Sequence, residues 1–284
     1  MGKSILLGQS DTLTVTGTIV EAIMIRMDTL AAANNTVSAY SDILMDKIKV
    51  SAVLTQANGK QKIICSGSSN VIAMASTIGF QNFYSNSFST KGIIRQAAGA
   101  SAKEIVYKNN IIRFPVPLVV GRGERLDITV TTDTTAVTGQ MDTTACYVNV
   151  DVVRCARGTN QVPFIRIDTI AAGAGSYQSS AANGVTGISF INKNVVNDLT
   201  VNQPLTSANV NSTTYSTVLA GNAIDALDES YCETDCYNVM YASSLLMPQQ
   251  DMAVNDAVVN LTLTGAAVTS DNNSVCFIGY CERD

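Results

Sequence analysis

The chain has 284 residues, of which 46% are hydrophobic and only 14% charged, and its formal net charge is −5. Its 18 lysines and arginines are scattered, which argues against a broad nucleic-acid surface because such a surface needs a positive field. No apolar run reaches the ~20 residues of a membrane span, and the N-terminus fits neither a signal peptide nor a myristoylation pattern. The polar surface therefore comes mainly from Asn, Ser, Thr and Gln, which suits a protein packed against neighbours.

Strands dominate the first half of the chain. Alternation of apolar and polar residues predicts strands at 11–18, 23–27, 48–55, 62–65, 93–95, 104–107, 126–131 and 147–153. Asn58-Gly59 is a strong signal for a two-residue hairpin turn. Residues 71–79 follow a polar N-cap candidate and end at Gly79, so we expect one short helix there.

A charged turn opens the closing strand pair of this half. The proline-containing segment 114–120 leads into Gly-Arg-Gly-Glu-Arg at 121–125, and a strand follows. The turn lacks the Lys-Ser/Thr ending of a phosphate loop and offers no helix N-terminus to an anion, so we expect a plain turn. Its two arginines either pair with carboxylates of a neighbouring subunit or are simply exposed.

The second half repeats this arrangement after a short linker. Residues 155–161 are the predicted linker, which divides the chain into domains 1–156 and 157–284. A new strand begins after Pro163, and further strands are predicted at 187–192, 197–201, 236–242, 259–264 and 275–280. Residues 222–230 are a short helix candidate with Asn222 as its cap.

Two sequence repeats relate the halves. Residues 25–32 (IRMDTLAA) match 165–172 (IRIDTIAA) at six of eight positions. The closing strands recur as well, 126–131 as 259–264 and 147–153 as 275–280. Before the first of these strands, one half has Gly-Arg-Gly-Glu-Arg and the other has Ala-Val-Asn-Asp-Ala at 253–257. Both ends of a unit thus recur in the same order, which predicts two copies of one β-sandwich or barrel.

Catalytic chemistry finds little support in the sequence. The chain has no histidine, which removes Ser-His-Asp and Cys-His catalysis and histidine-based zinc sites. No catalytic, cofactor-binding or metal-ligating residue is assigned. Cys232, Cys236, Cys276 and Cys281 offer four thiolates, but their spacing is not that of zinc knuckles, and buried thiols in a reducing compartment are the preferred interpretation.

The densest charge in the chain is one acidic group in the second half. Its members are Asp225, Asp228, Glu229, Glu233 and Asp235. Carboxylates in such number suit a structural calcium ion, but no EF-hand pattern is present. A solvated helix face with acidic residues in its first turn is the favoured interpretation, and no cofactor is expected.

The overall pattern resembles a known family. Strand 13–18, the pair 25–29 and 165–169, and the twin closing strands 126–131 and 259–264 resemble the double jelly-roll major capsid proteins of tailless icosahedral viruses. These are the corticovirus and tectivirus type within the adenovirus hexon lineage. The resemblance implies an all-β fold of two tandem eight-stranded jelly-roll β-sandwiches, each with a short helix.

The resemblance also implies a function. A chain of this family forms a homotrimer of pseudo-hexagonal outline that tiles the virion shell, and it is not an enzyme. Its partners are neighbouring capsomers and other virion proteins such as the penton, with a possible internal membrane and no direct nucleic-acid binding. It is made and assembled in the host cytoplasm, here that of a bacterium. A receptor-binding spike or minor capsid protein is the main alternative, and a two-repeat sliding clamp and an enzyme are weaker ones.

Overall fold

The computed structural model describes most of the chain in several segments. The described residues are 2–30, 47–80, 89–95, 104–134, 144, 146–192, 205–211, 213–216, 241–246, 253–264 and 273–283. The predicted strand 197–201, the helix candidate 222–230, Cys232, Cys236 and the acidic group lie outside these residues.

The chain divides into two compact units. The first comprises Met1–Ala73 and Phe88–Asn160, and the second comprises Met74–Ser87 and Gln161–Asp284. The predicted domain limit, between 156 and 157, lies in the segment that connects the last strand of the first unit to the first strand of the second. None of the helices among the described residues is long and apolar enough to cross a membrane.

Among the described residues, nine strands and the helix α1 follow one another in the first part of the chain. They are β1 (Lys3–Leu6), β2 (Ser10–Val15), β3 (Thr18–Leu30), β4 (Ile48–Thr55), β5 (Gln61–Ser68), α1 (Ser69–Phe80), β6 (Ser89–Arg95), β7 (Glu104–Val120), β8 (Arg125–Thr132) and β9 (Tyr147–Arg154). The predicted helix is confirmed within a residue or two. The predicted strand 11–18 is two strands, because the backbone turns at Gly17, whose φ of 60° lies in the left-handed region.

Eight strands follow within the described segments of the second part. They are β10 (Gln161–Ile170), β11 (Ser176–Gln178), β12 (Val185–Asn192), β13 (Leu205–Val210), β14 (Thr213–Ser216), β15 (Tyr241–Leu246), β16 (Val259–Leu263) and β17 (Asn273–Glu282). Strands 187–192, 259–264 and 275–280 were thus predicted at nearly their observed places.

The second unit has a simple strand order. Its two four-stranded arrangements run β10-β17-β12-β15 and β11-β16-β13-β14, and all the pairs within them are antiparallel. Counted from one to eight along the unit, these orders are 1-8-3-6 and 2-7-4-5. That connectivity is a pair of Greek keys in which the first strand lies beside the last. The second unit is a jelly roll.

The first unit follows the same plan with one addition. Its strands run β1-β9-β3-β7-β6 and β5-β4-β8-β2. If β6 is set aside, the orders are again 1-8-3-6 and 2-7-4-5. β6 pairs antiparallel with β7 beyond the sixth strand of the plan. The all-β class and the two tandem jelly rolls are therefore confirmed, and the described part of the first unit has nine strands where eight were predicted.

Alternation explains the core of the first unit. β4 has the burial pattern of one residue in and one out, and so have β8 and most of β9. Buried residues of β4 and β8 stand directly opposite one another: Val50 and Val130, Ala52 and Ile128, Leu54 and Leu126. Cross-strand apolar pairs of this kind are the main local stabilisation of a sheet.

The core of the second unit joins its two sheets. Phe190 of β12 and Phe277 of β17 are fully buried, and Ala208 of β13 and Leu261 of β16 belong to the same apolar cluster. Burying a phenylalanine side chain contributes roughly 1.5–3 kcal/mol, so the two rings are major contributors to this core.

The β4–β5 hairpin has a different turn from the one predicted. The backbone N–H of Gln56 donates to the Lys60 carbonyl at 2.8 Å, so three residues, not two, form the loop. Gly59 donates to the Gln56 carbonyl at 2.9 Å and has a φ of 84°. This is a type I turn followed by a left-handed glycine, the geometry that a three-residue hairpin loop requires.

The proline-containing segment 114–120 is part of β7 and not a separate segment that leads into the turn. Val20 of β3 pairs with Leu118, and Ala22 pairs with Arg113, so residues 114–117 bulge opposite a single residue. Pro115 and Pro117 lie in that bulge. Proline has no N–H for the ladder, which is why it is confined to such irregular positions.

One predicted repeat is wrong. The IRMDT segment lies on β3, the third strand of the first jelly roll, whereas the IRIDT segment lies on β10, the first strand of the second. The two strands flank the closing strand of their unit on opposite sides. Both strands pair with the closing strand of their unit, so the shared sequence marks similar surroundings and not equivalent strands. The repeat of the closing strands is confirmed, since β8 and β16 are both seventh strands, and β9 and β17 are both eighth strands.

Candidate assembly surfaces

The turn at 121–125, called here the cationic turn, connects β7 to β8 and is closed from inside. The backbone N–H of Glu124 donates to the Gly121 carbonyl at 3.2 Å, and the Gly121 N–H donates to Glu124 Oε2 at 2.8 Å. The Glu124 side chain is buried. Gly123 takes a φ of 80°, which an L-residue adopts rarely. One carboxylate therefore holds the turn in a single shape.

The two arginines of the cationic turn differ. Arg125 donates from Nε to Asp127 Oδ2 at 2.9 Å, within its own strand. Arg122 is exposed, and its guanidinium bonds to none of the described residues. The sequence left open pairing with a neighbouring subunit or simple exposure for both arginines. Arg125 instead pairs within its own strand, and Arg122 is the cation exposed to solvent.

An open groove of about 800 Å³ lies beside this turn within the first unit. Ile19 and Val119 contribute apolar walls, Thr16 and Thr18 contribute hydroxyl groups, and the residues of the cationic turn form the remaining side. The groove therefore combines apolar contact area with hydroxyls and one unpaired cation.

The turn at 253–257, called here the acidic turn, precedes β16 in the second unit. The Gly184 N–H donates to Asn255 Oδ1 at 3.0 Å, and the Asp256 N–H donates to Asn183 Oδ1 at 2.8 Å. Asp256 has a φ of 52° and an exposed side chain. Two reciprocal side-chain bonds thus hold this turn to the loop before β12.

The cationic and acidic turns occupy the same place in the jelly-roll plan. Each precedes the seventh strand, and each lies against the hairpin between the fourth and fifth strands. In the first unit, a Cβ on Gly123 would lie 3.6 Å from the Ala57 Cβ. In the second, the Val258 N–H donates to Asn211 Oδ1 at 2.9 Å. The two turns therefore lie at equivalent positions of the two units and carry opposite charges.

The Arg-Asp pair of β3 lies on an exposed sheet face. Arg26 Nε donates to Asp28 Oδ1 at 2.7 Å, and Asn149 Nδ2 donates to Asp28 Oδ2 at 2.9 Å. Met24 and Tyr147, among the few large apolar side chains exposed in the described residues, stand on the same two strands. This face is a mixed polar and apolar surface of the kind that suits a wet contact.

The Arg-Asp pair of β10 is half-buried and better satisfied. Arg166 Nε donates to Asp168 Oδ1 at 2.8 Å, and the Tyr177 hydroxyl donates to Asp168 Oδ2 at 2.7 Å. The Arg166 guanidinium also donates to Ser180 Oγ at 2.9 Å and lies 4.6 Å from the centre of the Phe277 ring. An ion pair, hydrogen bonds from hydroxyl and guanidinium groups, and a cation–π contact thus cover the edge of the second unit's apolar core.

Burial and hydrogen bonding shift the pKa values of this cluster. Burial alone raises the pKa of Asp168, but the bonds from Arg166 and Tyr177 and the charge of Arg166 outweigh it, so the pKa lies below its usual value. Burial, and then the bond to the Asp168 carboxylate, raise the pKa of Tyr177. The bond to Asp168 raises the pKa of Arg166. At neutral pH, Asp168 is therefore charged, and Arg166 and Tyr177 keep the protons that they donate to it. The three side chains stabilise the fold. Sequence reasoning missed Tyr177 because nothing local links it to β10.

Hydroxyl groups line the outer face of the β2–β8 pair. Directly opposite residues bond across it: Ser10 with Thr131 at 2.8 Å, Thr12 with Thr129 at 2.8 Å, and Thr14 with Asp127 at 2.7 Å. Lys3 bonds Asp11 at 2.6 Å, and this bond lowers the pKa of Asp11. Among the described strands, β2 pairs only with β8, so it is an edge strand, and the charged side chains of Lys3 and Asp11 disfavour unspecific strand addition to it.

The candidate metal and thiol residues are only partly described. Cys276 is fully buried on β17, and Cys281 is half-buried near its end. The five cysteines within the described segments are all thiols. Those segments contain no group of three or more Cys, Asp or Glu side chains placed to hold a metal ion. The four-thiolate and calcium hypotheses remain predictions, because their other members lie outside the described residues.

Comparisons with known proteins give similarities of overall structure. The chain matches no protein-family model and no curated protein. It is similar to the crystal structure of the major capsid protein P2 from bacteriophage PM2, with 10% identity, coverage of 100% of this chain and 99% of that one, and a TM-score of 0.47. It is similar to the STIV MCP, with 12% identity, coverage of 98% and 95%, and a TM-score of 0.43. At these identities and scores, the likeness assigns no activity to the chain.

Proposed function

We propose that the chain is a major capsid protein whose trimers form pseudo-hexagonal capsomers of an icosahedral virion shell. The observation that carries this proposal is the presence of two jelly rolls of the same strand order in one chain. Three such chains supply six similar modules, which is the number that a six-neighbour lattice position requires. Heterologous contacts between modules can then close into a ring.

The surfaces support an assembly role. Charged residues make up 14% of the chain, so broad faces approach one another with little repulsion. The hydroxyl face of β2–β8 and the mixed face of β3–β9 offer hydrogen-bonding groups for contacts that retain water. The partners would be further copies of the chain and other virion proteins such as a penton, and the site of assembly would be the cytoplasm of a bacterial host.

No enzymatic role is proposed. The half-buried polar cluster of Arg166, Asp168 and Tyr177 is held together by internal bonds. These side chains stabilise the fold, and none of the three is activated for attack on a substrate.

Electron microscopy of particles that contain the chain tests the proposal. We expect the chain to be the most abundant protein of the particle and its capsomers to have six jelly rolls from three chains. A low copy number, with the chain confined to vertices or projections, would instead favour a spike or minor capsid protein.

A further inference from the structure

The two jelly rolls present opposite charges at equivalent places. The cationic turn (121–125) and the acidic turn (253–257) both precede the seventh strand of their unit. Arg122 is exposed on the first and Asp256 on the second, and neither side chain bonds to a described residue. On a chain of net charge −5, an exposed cation with no internal partner is available to a carboxylate of another molecule.

Both turns are held rigidly before any partner arrives. Glu124 closes the cationic turn through the Gly121 N–H at 2.8 Å. Asn183 and Asn255 hold the acidic turn through bonds of 2.8 Å and 3.0 Å. Side chains on preorganised turns lose less conformational entropy when they bind, so a single ion pair contributes more there than on a mobile loop.

The charge of Asp256 is not demanded by its backbone. Its φ of 52° lies in the left-handed region, which Gly and Asn adopt as readily as Asp. Its backbone N–H, not its carboxylate, makes the bond that holds the turn. The turn itself therefore does not need a carboxylate at this position, and the Asp256 side chain is available to another molecule.

We propose that the cationic turn of one copy binds the acidic turn of a second copy. The Arg122 guanidinium bonds the Asp256 carboxylate, and the acidic turn lies at the groove of about 800 Å³ beside Arg122. Arginine and carboxylate match as a bidentate pair, which gives the contact its orientation. This inference rests on the proposed function, because it names one contact of the same assembly.

A charge-reversal cycle tests this contact on the full chain. Self-association is measured by sedimentation velocity over a range of concentrations for wild type, Arg122→Glu, Asp256→Arg and the double variant. Arg157→Glu is the matched control, since Arg157 is also exposed and the change in charge is the same. Thermal unfolding of each variant checks that the fold is intact.

We expect each single reversal to weaken self-association about tenfold, because like charges then face one another, and the double variant to recover most of the loss. Arg157→Glu should resemble wild type. The inference is overturned if Arg122→Glu behaves like Arg157→Glu, or if the double variant is no better than the single ones, and in either case the proposed function stands. A wild-type chain that stays monomeric at every concentration overturns both.

Discussion

Gly184 and Gly279 pass each other with no room for a side chain. A Cβ on Gly279 would strike the Gly184 carbonyl oxygen, and a Cβ on Gly184 would strike the carbonyl oxygen of Tyr280. The Tyr280 N–H donates to the Gly184 carbonyl at 2.9 Å across the same contact. This close backbone contact joins the start of β12 to β17 and sets the path by which β12 enters the second β-sandwich.

Gly184→Ala should therefore unfold the second jelly roll more readily than a change at another left-handed glycine. Gly173 has a similar φ, 76° against 70°, but a Cβ there would meet nothing within 4 Å. The left-handed backbone costs about 1–2 kcal/mol for alanine at either site. Overpacking adds about 1–3 kcal/mol at Gly184 alone. Urea denaturation of both variants measures the difference, and equal losses would show that the close backbone contact has room to relax.

Asp168→Asn should be more destabilising than Asp28→Asn. Asp168 is half-buried and accepts bonds from Arg166 and Tyr177, and a hydrogen bond to a charged group contributes about 1.5–3 kcal/mol. The Arg26–Asp28 pair is more exposed, and exposed pairs contribute about 0–1 kcal/mol. Denaturant midpoints compare the two variants. A larger loss for Asp28→Asn would place the tighter network in the first unit, contrary to this account.

The acid limb of the stability curve should depend on Asp168. Its folded-state pKa lies below its unfolded value, so its contribution is fully present above the unfolded pKa and is lost as pH falls through the folded one. Between about pH 5 and pH 2, wild type should lose more stability than Asp168→Asn, which has no charge to lose. Thermal unfolding across that range measures this, and parallel curves would exclude the carboxylate as a contributor.

Thiol reactivity should separate the buried cysteines from the others. Burial raises the pKa of Cys65 to about 12 and also raises that of Cys276. Both thiols are also fully buried, so the reagent reaches them poorly. After iodoacetamide treatment of the native protein at pH 8, peptides carrying Cys155 should be alkylated before those carrying Cys65 or Cys276. Simultaneous labelling of all three would indicate an open or unstable core.

Local patterns predicted which segments form strands or a helix better than they predicted the position of each strand in its sheet. Alternation located β4, β8 and β9, and the composition of 71–79 located the helix, because these signals depend on neighbours along the chain. The five-residue IRMDT match misled because the same short-range pair, Arg26 with Asp28 and Arg166 with Asp168, lies on a third strand in one unit and on a first strand in the other. Which strand lies there is decided by long-range pairing, which a single sequence does not display.

The candidate surfaces show the same difference between features that local sequence predicts and features that depend on the folded structure. The charge difference between the turns at 121–125 and 253–257 was visible in the sequence, since both precede a matching strand. The internal partner of Arg125, the buried clamp of Glu124 and the approach of Tyr177 to Asp168 were not, because each depends on the direction of a side chain in space. Only after these partners are assigned does Arg122 remain as the unpaired cation of its turn.

The mass of the purified chain in solution tests the central claim most directly. Sedimentation equilibrium of the full-length protein should give three times the 30.0 kDa of one chain, because the capsomer proposed here is a trimer of double jelly rolls. A mass of one chain at every concentration would contradict the account.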